Sequence, residues 1–415
     1  MSRILVYTSP GRGHLFPVVP ILDELISRGH DVHLRTLDSE VATMRERGVL
    51  AAAIDPTIAA ITHDDYLGRT PTDGLKRSVA VFCRRAPLDA ADLQRAIDEV
   101  DPDLLLIDSN AWGAAAAAEA SGRPWASWCP YPLPVPSRSA PPFGPGLPPA
   151  RGPLGRLRDR ALRPIVFGSL ERIMVPRVND VRAPLGLPPL SDARELFSLP
   201  PACLYLTTEP FEYPRDDWPD NIHQVGPIDW DPPTEPPAWL SELDAPVVLV
   251  TTSSEFQDDG RLAEVALEAL ASENLAVIVT VPSGSVDAFD PPPNARVVSF
   301  LPHGPVLDRA VCAITHGGMG ATQKALGRGV PVVTVPFGRD QLEVARRVEL
   351  SGAGVRLPKR RLQPSRLRAA VQQAISRRED AQRLARALHD AGGPVSAADL
   401  LEHQLTGVPE PDPID

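Results

Sequence analysis

Twice along this chain, short apolar runs alternate with amphipathic helical stretches, and few architectures accept that grammar. The first passage reads RILVYTS, the glycine turn PGRGH, the helical PVVPILDELISRGH and the strand-like DVHLRTL. It continues through APLDAADLQRAIDEV to LLLIDS, WGAAAAAEASG and PWASWC. After Pro246 the pattern restarts with VVLVTTS, RLAEVALEALA, LAVIVTV and RVVSF, then VCAIT, MGATQKALGRG and PVVTVPF. Strands that are apolar at nearly every position have both faces buried, and the helices between them supply the crossovers that parallel strands need. The expected fold class is α/β, with two Rossmann-like domains facing across a cleft. Residues 1–215 form the first domain, 216–240 an interdomain linker, 241–400 the second domain and 401–415 a tail.

Composition sharpens this outline. Many of the 48 prolines fall between the two passages. CPYPLPVPSRSAPPFGPGLPPARGP (residues 129–153) can be neither regular helix nor central strand, so it reads as a long excursion of the first domain. VGPIDWDPPTEPPAWL (residues 225–240) reads as the hinge, and GVPEPDPID at the end as a frayed tail. ARGPLGRLRDRALRPI is locally basic and reads first as a solvated helix face. The net charge of −11 argues against a nucleic-acid surface, which needs clustered Lys and Arg. No run reaches the roughly 18 apolar residues of a membrane span, and MSRILVYTS begins as a strand with no apolar leader. The four cysteines (Cys83, Cys129, Cys203 and Cys312) are scattered, as reduced core residues are. The expectation is a cytoplasmic protein without nucleic-acid partners or stable membrane insertion; the oligomeric state is left open.

Ligands of doubly wound sheets bind beyond the carboxyl ends of the strands, so residues just after a strand carry the functional weight. His316 follows VCAIT, and Gly317, Gly318, Met319 and Gly320 come next, opening a helix. Glycines let a ligand approach the backbone, and a helix start offers free N–H groups to an anion. The turn lacks the G-K-[ST] of a Walker loop and is not G-x-G-x-x-G, because Gln323 stands where the last glycine would be. Spacing alone leaves a bare glycine turn and a phosphate site equally open.

The PGRGHLFP turn repeats this logic in the first domain. His14 follows the first strand and Asp108 ends LLLID, both on the carboxyl edge. Together they could form a general base and the carboxylate that orients it; taken singly, each reads first as a helix-capping residue. Asp101 and Asp103 spell a D-x-D that could hold a metal-bound sugar nucleotide, but they precede their strand, on the wrong edge for a ligand. No metal site is assigned.

These motifs together resemble the UDP-glycosyltransferase-type family with the GT-B fold, and within it the bacterial natural-product branch. The resemblance rests on THGGMGATQKALGRGVPVVTVPFGRDQ, on GRGHLFPVVPILDELISRGHDV with its Gly-His-x-x-Pro opening, and on LIDSNAWGAAAAAEASGRP. It spans essentially the whole chain. It implies a hexosyl-type transferase that moves a sugar, with inversion, from a UDP- or dTDP-linked donor to a hydroxyl of a small hydrophobic acceptor. The acceptor would bind the first domain and the nucleotide sugar the second, with no further cofactor. By the same resemblance His14 is the base and Asp108 its partner. The donor site comprises Gly13, Ser253, Ser254, Phe300, Leu301, His303, His316, Gly317, Gly318, Met319, Gly320, Ala321, Asp340 and Gln341. His316 and the glycines would face the phosphates, Ser253 and Ser254 a second phosphate loop, Phe300 to His303 the base, and Asp340 with Gln341 the sugar hydroxyls.

Two positions depart from the family pattern. Ala321 and Lys324 stand where many members have Thr and a ribose-binding Glu. Lys324 reads either as a substitute contact near ribose or phosphate or as a solvent-facing lysine. Phe143, Phe167 and Trp112 are candidate apolar walls for the acceptor, although each reads first as a core or loop anchor. Two other functions share this architecture: a nucleotide-sugar epimerase, which needs no acceptor, and a catalytically silent nucleotide-binding helper.

Overall fold

Two all-parallel sheets organise the chain in the computed structural model, which describes residues 1–406. The first contains β1 (Arg3–Tyr7), β2 (Asp31–Thr36), β3 (Leu50–Ala53), β4 (Leu104–Asp108), β5 (Trp125–Cys129), β6 (Cys203–Tyr205) and β7 (Ile222–Gln224), in the order β3-β2-β1-β4-β5-β6-β7. The second contains β8 (Val247–Thr251), β9 (Ala276–Thr280), β10 (Ala295–Val298), β11 (Ala310–Thr315), β12 (Val332–Thr334) and β13 (Gly354–Arg356), in the order β10-β9-β8-β11-β12-β13. Each sheet reverses its winding direction once, between β1 and β4 and between β8 and β11. Those are the switch points at which doubly wound folds open a crevice.

Burial follows from the sequence pattern. β4, β5, β8 and β9 are buried at every residue. Around the first sheet, one apolar cluster gathers Ile4, Val6, Leu104 and Leu106, and another Leu5, Tyr7, Leu105 and Ile107. The second sheet divides in the same way: Val247 and Leu249 pack in one cluster, Val248 and Val250 in another. All four cysteines are free, and Cys129, Cys203 and Cys312 are buried.

The chain departs from the sequence outline in several places. β3, β6, β7 and β13 are three or four residues long, too short to show a period. β7 lies inside the stretch read as linker and pairs with β6. The helix read as starting near Ala86 begins at Pro71 and runs to Val100 with Pro87 inside it. The basic run opens a 31-residue helix, Gly152–Arg182, with Arg151, Arg156 and Arg160 exposed. Of the tail, 401–406 complete the helix Gly393–Thr406, whose Ala397, Ala398 and Leu401 join the first domain's core; the frayed end expected at 407–415 lies outside the described residues. No helix among the described residues is long and apolar enough to cross a membrane.

The proline-rich excursion has no helix or strand between β5 and Gly152. It docks on the second domain: the Gly144 and Gly146 amides donate to Glu343 Oε1 at 2.7 and 2.9 Å, and Arg346 Nε donates to the Gly146 carbonyl at 2.8 Å. The excursion therefore crosses the cleft.

Candidate active site

β1 and β4 lie side by side, and their carboxyl ends bring His14 and Asp108 together. His14 Nδ1 is 2.9 Å from Asp108 Oδ1. The carboxylate is fully buried, and it also accepts from the Asn110 amide at 3.0 Å, the Ser9 amide at 2.9 Å and Ser9 Oγ at 2.6 Å. A buried carboxylate so well supplied with donors stays ionised: burial lifts the Asp108 carboxyl, but the charge and hydrogen bond of His14 and the other donors outweigh this and hold it below its ordinary value. An ionised carboxylate only accepts, so Nδ1 carries the hydrogen and Nε2 is left with a lone pair. Asn110 Nδ2 lies 3.1 Å from Nε2, while Asn110 Oδ1 accepts from Tyr131 OH at 2.8 Å. Trp128 Nε1 donates to the His14 carbonyl at 3.3 Å and pins its backbone. Burial disfavours charge on His14, but Asp108 outweighs it, with Glu255 and Asp340 adding to the effect, so the imidazole sits above its ordinary value. The pair has the geometry of an oriented base, with His14 lining the cleft and Asn110 resting on its second nitrogen.

Across the cleft, β8 and β11 present a second pair of turns. Gly317 has φ +90°, in the left-handed region that favours glycine. Its neighbour Gly318 lies against the His316 ring, and a Cβ at 318 would collide with His316 Nε2. His316 is buried, its Nδ1 has no hydrogen-bond partner, and burial pushes the imidazole below its ordinary value. Gly320, in the first turn of the helix Met319–Gly327, has nothing within 4 Å of where a Cβ would stand. The protein itself does not need a glycine there. The loop after β8 is braced internally: Ser253 N donates to Asp259 Oδ2 at 2.7 Å and Gln257 Nε2 donates to Ser253 Oγ at 2.7 Å, leaving Ser254 exposed. Burial holds His303 down to about 4, with Lys324 acting in the same direction; its Nε2 lies 3.1 Å from Thr280 Oγ1. Phe300 is 41% exposed at the cleft wall.

One cavity of about 1210 Å³ joins these features. Gly13, His14, Asp108, Ser253, Ser254, Phe300, Leu301, His303, His316, Gly318, Met319, Gly320, Ala321 and Asp340 all line it. Its first-domain wall includes Phe82, Trp112, Leu170 and Met174, and the excursion adds Phe143. Phe167 is buried and is not among the lining residues. The Asp340 side chain makes no capping bond to its helix, and burial lifts its carboxyl against the pull of Arg339 and His14. Gln341 does not line the cavity. Its Oε1 accepts from the Phe337 and Gly338 amides at 2.7 and 3.0 Å and its Nε2 donates to Gln257, so its amide braces the loops instead. Gly317 is likewise behind the surface, packed on Gln341.

Comparison with known proteins bears on the family and the fold. The family described as "Erythromycin biosynthesis protein CIII-like, C-terminal domain" matches residues 264–402. The 4'-demethylrebeccamycin synthase of Lentzea aerocolonigenes is 34% identical over 97% of this chain and 99% of its own. The chain belongs to the bacterial natural-product glycosyltransferases. Among solved structures, the glycotransferase of kitacinnamycin is 26% identical, with a TM-score of 0.76 over 97% of this chain and 99% of that one. A calicheamicin glycosyltransferase shares the fold at a TM-score of 0.69 and 21% identity, covering 98% and 99% of the two chains. Two domains of this kind make the GT-B fold.

In this glycosyltransferase Lys324 lines the cavity but is not solvent-facing, and its ammonium is already engaged by the protein. Its Nζ donates to the Trp230 carbonyl at 2.7 Å and pairs with Asp231 at 2.7 Å and Asp229 at 2.9 Å, so it ties the hinge to the second domain. The D-x-D carboxylates are engaged at the opposite end of the first sheet, Asp101 by Arg3 and Arg123 and Asp103 by the Arg3 amide. The residues that sequence reading passed over are Ser9, Asn110 and Tyr131. The first two follow strands on the carboxyl edge, as His14 and Asp108 do, and the same rule reaches them; Tyr131 lies in the excursion and carries no such mark.

Proposed function

We propose that the glycosyltransferase transfers a sugar, with inversion, from a UDP- or dTDP-linked donor to a hydroxyl of a small hydrophobic acceptor. The acceptor sits against the first-domain wall, and its hydroxyl takes the place of the Asn110 amide at His14 Nε2. As the acceptor oxygen attacks the anomeric carbon, its proton passes to Nε2 and the bond to the diphosphate oxygen breaks on the opposite face. Asp108 stabilises the imidazolium that forms. The electron pair leaves with the nucleoside diphosphate, whose charge meets the N–H groups at the start of the helix Met319–Gly327 and the neutral imidazole of His316. Those groups carry the charge without a metal or further cofactor. Asp340 receives sugar hydroxyls.

The observation that supports this reading best is the opposition of two half-sites. An oriented His14–Asp108 base stands on one wall, and a helix start with open space at Gly320 stands on the other. An epimerase, which takes no acceptor, would have no use for the apolar wall of Phe82, Trp112, Leu170 and Met174 in the same cavity. A silent helper would have no use for a base with a buried, fully bonded carboxylate behind it. The test offers a panel of apolar alcohols and phenols with UDP- and dTDP-sugars, and follows product by mass spectrometry and its anomeric configuration by NMR. A product with the configuration opposite to the donor's is expected. Retention of configuration, or loss of donor with no acceptor product, overturns the reading.

A further inference from the structure

One charged cluster in the cleft has no direct role in the proton and sugar transfer above, and it is a second place, besides the excursion, where the two domains grip each other. Arg339, in the loop after β12, donates from Nε and Nη2 to the two carboxylate oxygens of Asp65, at 2.8 and 2.7 Å. Its Nη1 donates to Glu255 Oε2 at 2.8 Å. Asp65 starts the short turn Asp65–Leu67 of the first domain, and Glu255 belongs to the loop after β8 in the second. One guanidinium therefore joins the first domain to the loops after β8 and β12 of the second. Next to it, Tyr66 of the first domain meets Phe256 of the second edge to face, with ring centroids 5.1 Å apart.

The backbone is arranged for this. Arg339 has φ +50° and Asp258, on the partner loop, φ +54°; among the described residues only Asp101 is a further non-glycine with positive φ. A residue with a Cβ occupies that region at a cost, which surrounding contacts must hold in place. The next residue, Asp340, lines the cavity. Glu255 also reaches the turn that carries the base: its Oε1 is 3.4 Å from where a Cβ of Gly11 would stand. A two-pronged arginine–carboxylate pair fixes orientation as well as distance.

We infer that Arg339, clasped by Asp65 and Glu255, is a positioning residue for sugar transfer: it sets the separation between the donor-side loops and His14. The inference rests on the function proposed above. The clasp holds the domains at the spacing for in-line attack, and it does not itself touch the reacting atoms.

The test uses the full-length enzyme with Asp65→Asn, Arg339→Gln and Arg339→Lys. Each is measured for kcat, both KM values, thermal unfolding and calorimetric affinity for the nucleoside diphosphate alone. Asp65→Asn and Arg339→Gln are expected to lower kcat about 10- to 100-fold, the scale for misplaced reactants, with nucleotide affinity unchanged within about twofold. Arg339→Lys keeps the charge but loses the fork, and is expected to recover part of kcat. Unchanged kcat in both Asp65→Asn and Arg339→Gln overturns the clasp. So does a loss of nucleotide affinity that matches the loss of rate in Arg339→Gln, which makes Arg339 a donor ligand. A kcat deficit that vanishes on cooling, in step with a lowered unfolding temperature, makes it a stability contact and also overturns the inference. In each case His14→Ala remains the separate test of the chemistry, so the clasp can fail while the proposed function stands.

Discussion

Single residues divide the site by which histidines hold a proton. His316 and His303 are pushed down by burial and stay neutral, while Asp108 outweighs burial at His14 and raises it. A general base works in its neutral form, so rate is lost as pH falls through that raised value. The acid limb of kcat/KM is therefore expected above the ordinary histidine value of about 6.5. Asp108→Asn removes the charge that lifts it, so the limb is expected to move to lower pH while the plateau falls; pH–rate profiles of the two enzymes check both shifts. A limb that stays in place in Asp108→Asn detaches the carboxylate from the base. In the proposed site His316 offers a neutral N–H to a charged phosphate, so His316→Ala is expected to weaken nucleoside diphosphate binding by about 1.5–3 kcal/mol, measured by calorimetry.

Among the elements, the glycine turn before the helix Met319–Gly327 separates what the fold needs from what a ligand needs. A side chain at 318 meets the His316 ring, whereas at 320 it meets nothing. Gly320→Ala is expected to stabilise the helix by about 0.5–1 kcal/mol and yet to weaken donor binding. Gly318→Ala is expected to lower stability. Thermal unfolding with donor titration distinguishes them, and a Gly320→Ala enzyme with unaltered donor affinity contradicts a ligand at that turn. The same turn shows why much of the site could be read from sequence. Asp108, Ser253 and His316 each end an apolar run and His14 closes the glycine turn that follows one, and the carboxyl edge of a parallel sheet is visible wherever such a run stops. Partner choice is not visible in this way. Lys324 bonds to Asp229 and Asp231, Gln341 to Gln257, and Arg339 to Asp65, and these pairings are set by how separate segments meet in space. The short strands β3, β6, β7 and β13 escaped for want of length. The long helices Pro71–Val100 and Gly152–Arg182 were obscured by their internal prolines, Pro87, Pro164 and Pro176.

For the molecule as a whole, the two domains divide the labour but do not stand apart. The excursion of the first docks on Glu343 and Arg346 of the second, the last helix returns to the first domain's core, and Lys324 fixes the hinge. Each half-site is nevertheless built from one sheet's switch point, so the proposed base and the proposed nucleotide site are expected to be separable by mutation. Under the proposed mechanism backbone amides, a helix start and His316 meet the diphosphate, so turnover is expected to survive EDTA treatment; a loss above about tenfold that magnesium restores contradicts the metal-free mechanism. The most direct test of the whole account is His14→Ala, assayed with an aliphatic alcohol and with an acidic phenol, alongside calorimetry of the nucleoside diphosphate. Transfer to the alcohol is expected to fall about 10²–10⁴-fold, the ionised phenol to recover part of the rate, and nucleotide affinity to stay unchanged. Near-wild-type transfer to the alcohol by a folded His14→Ala enzyme would contradict the account at its centre.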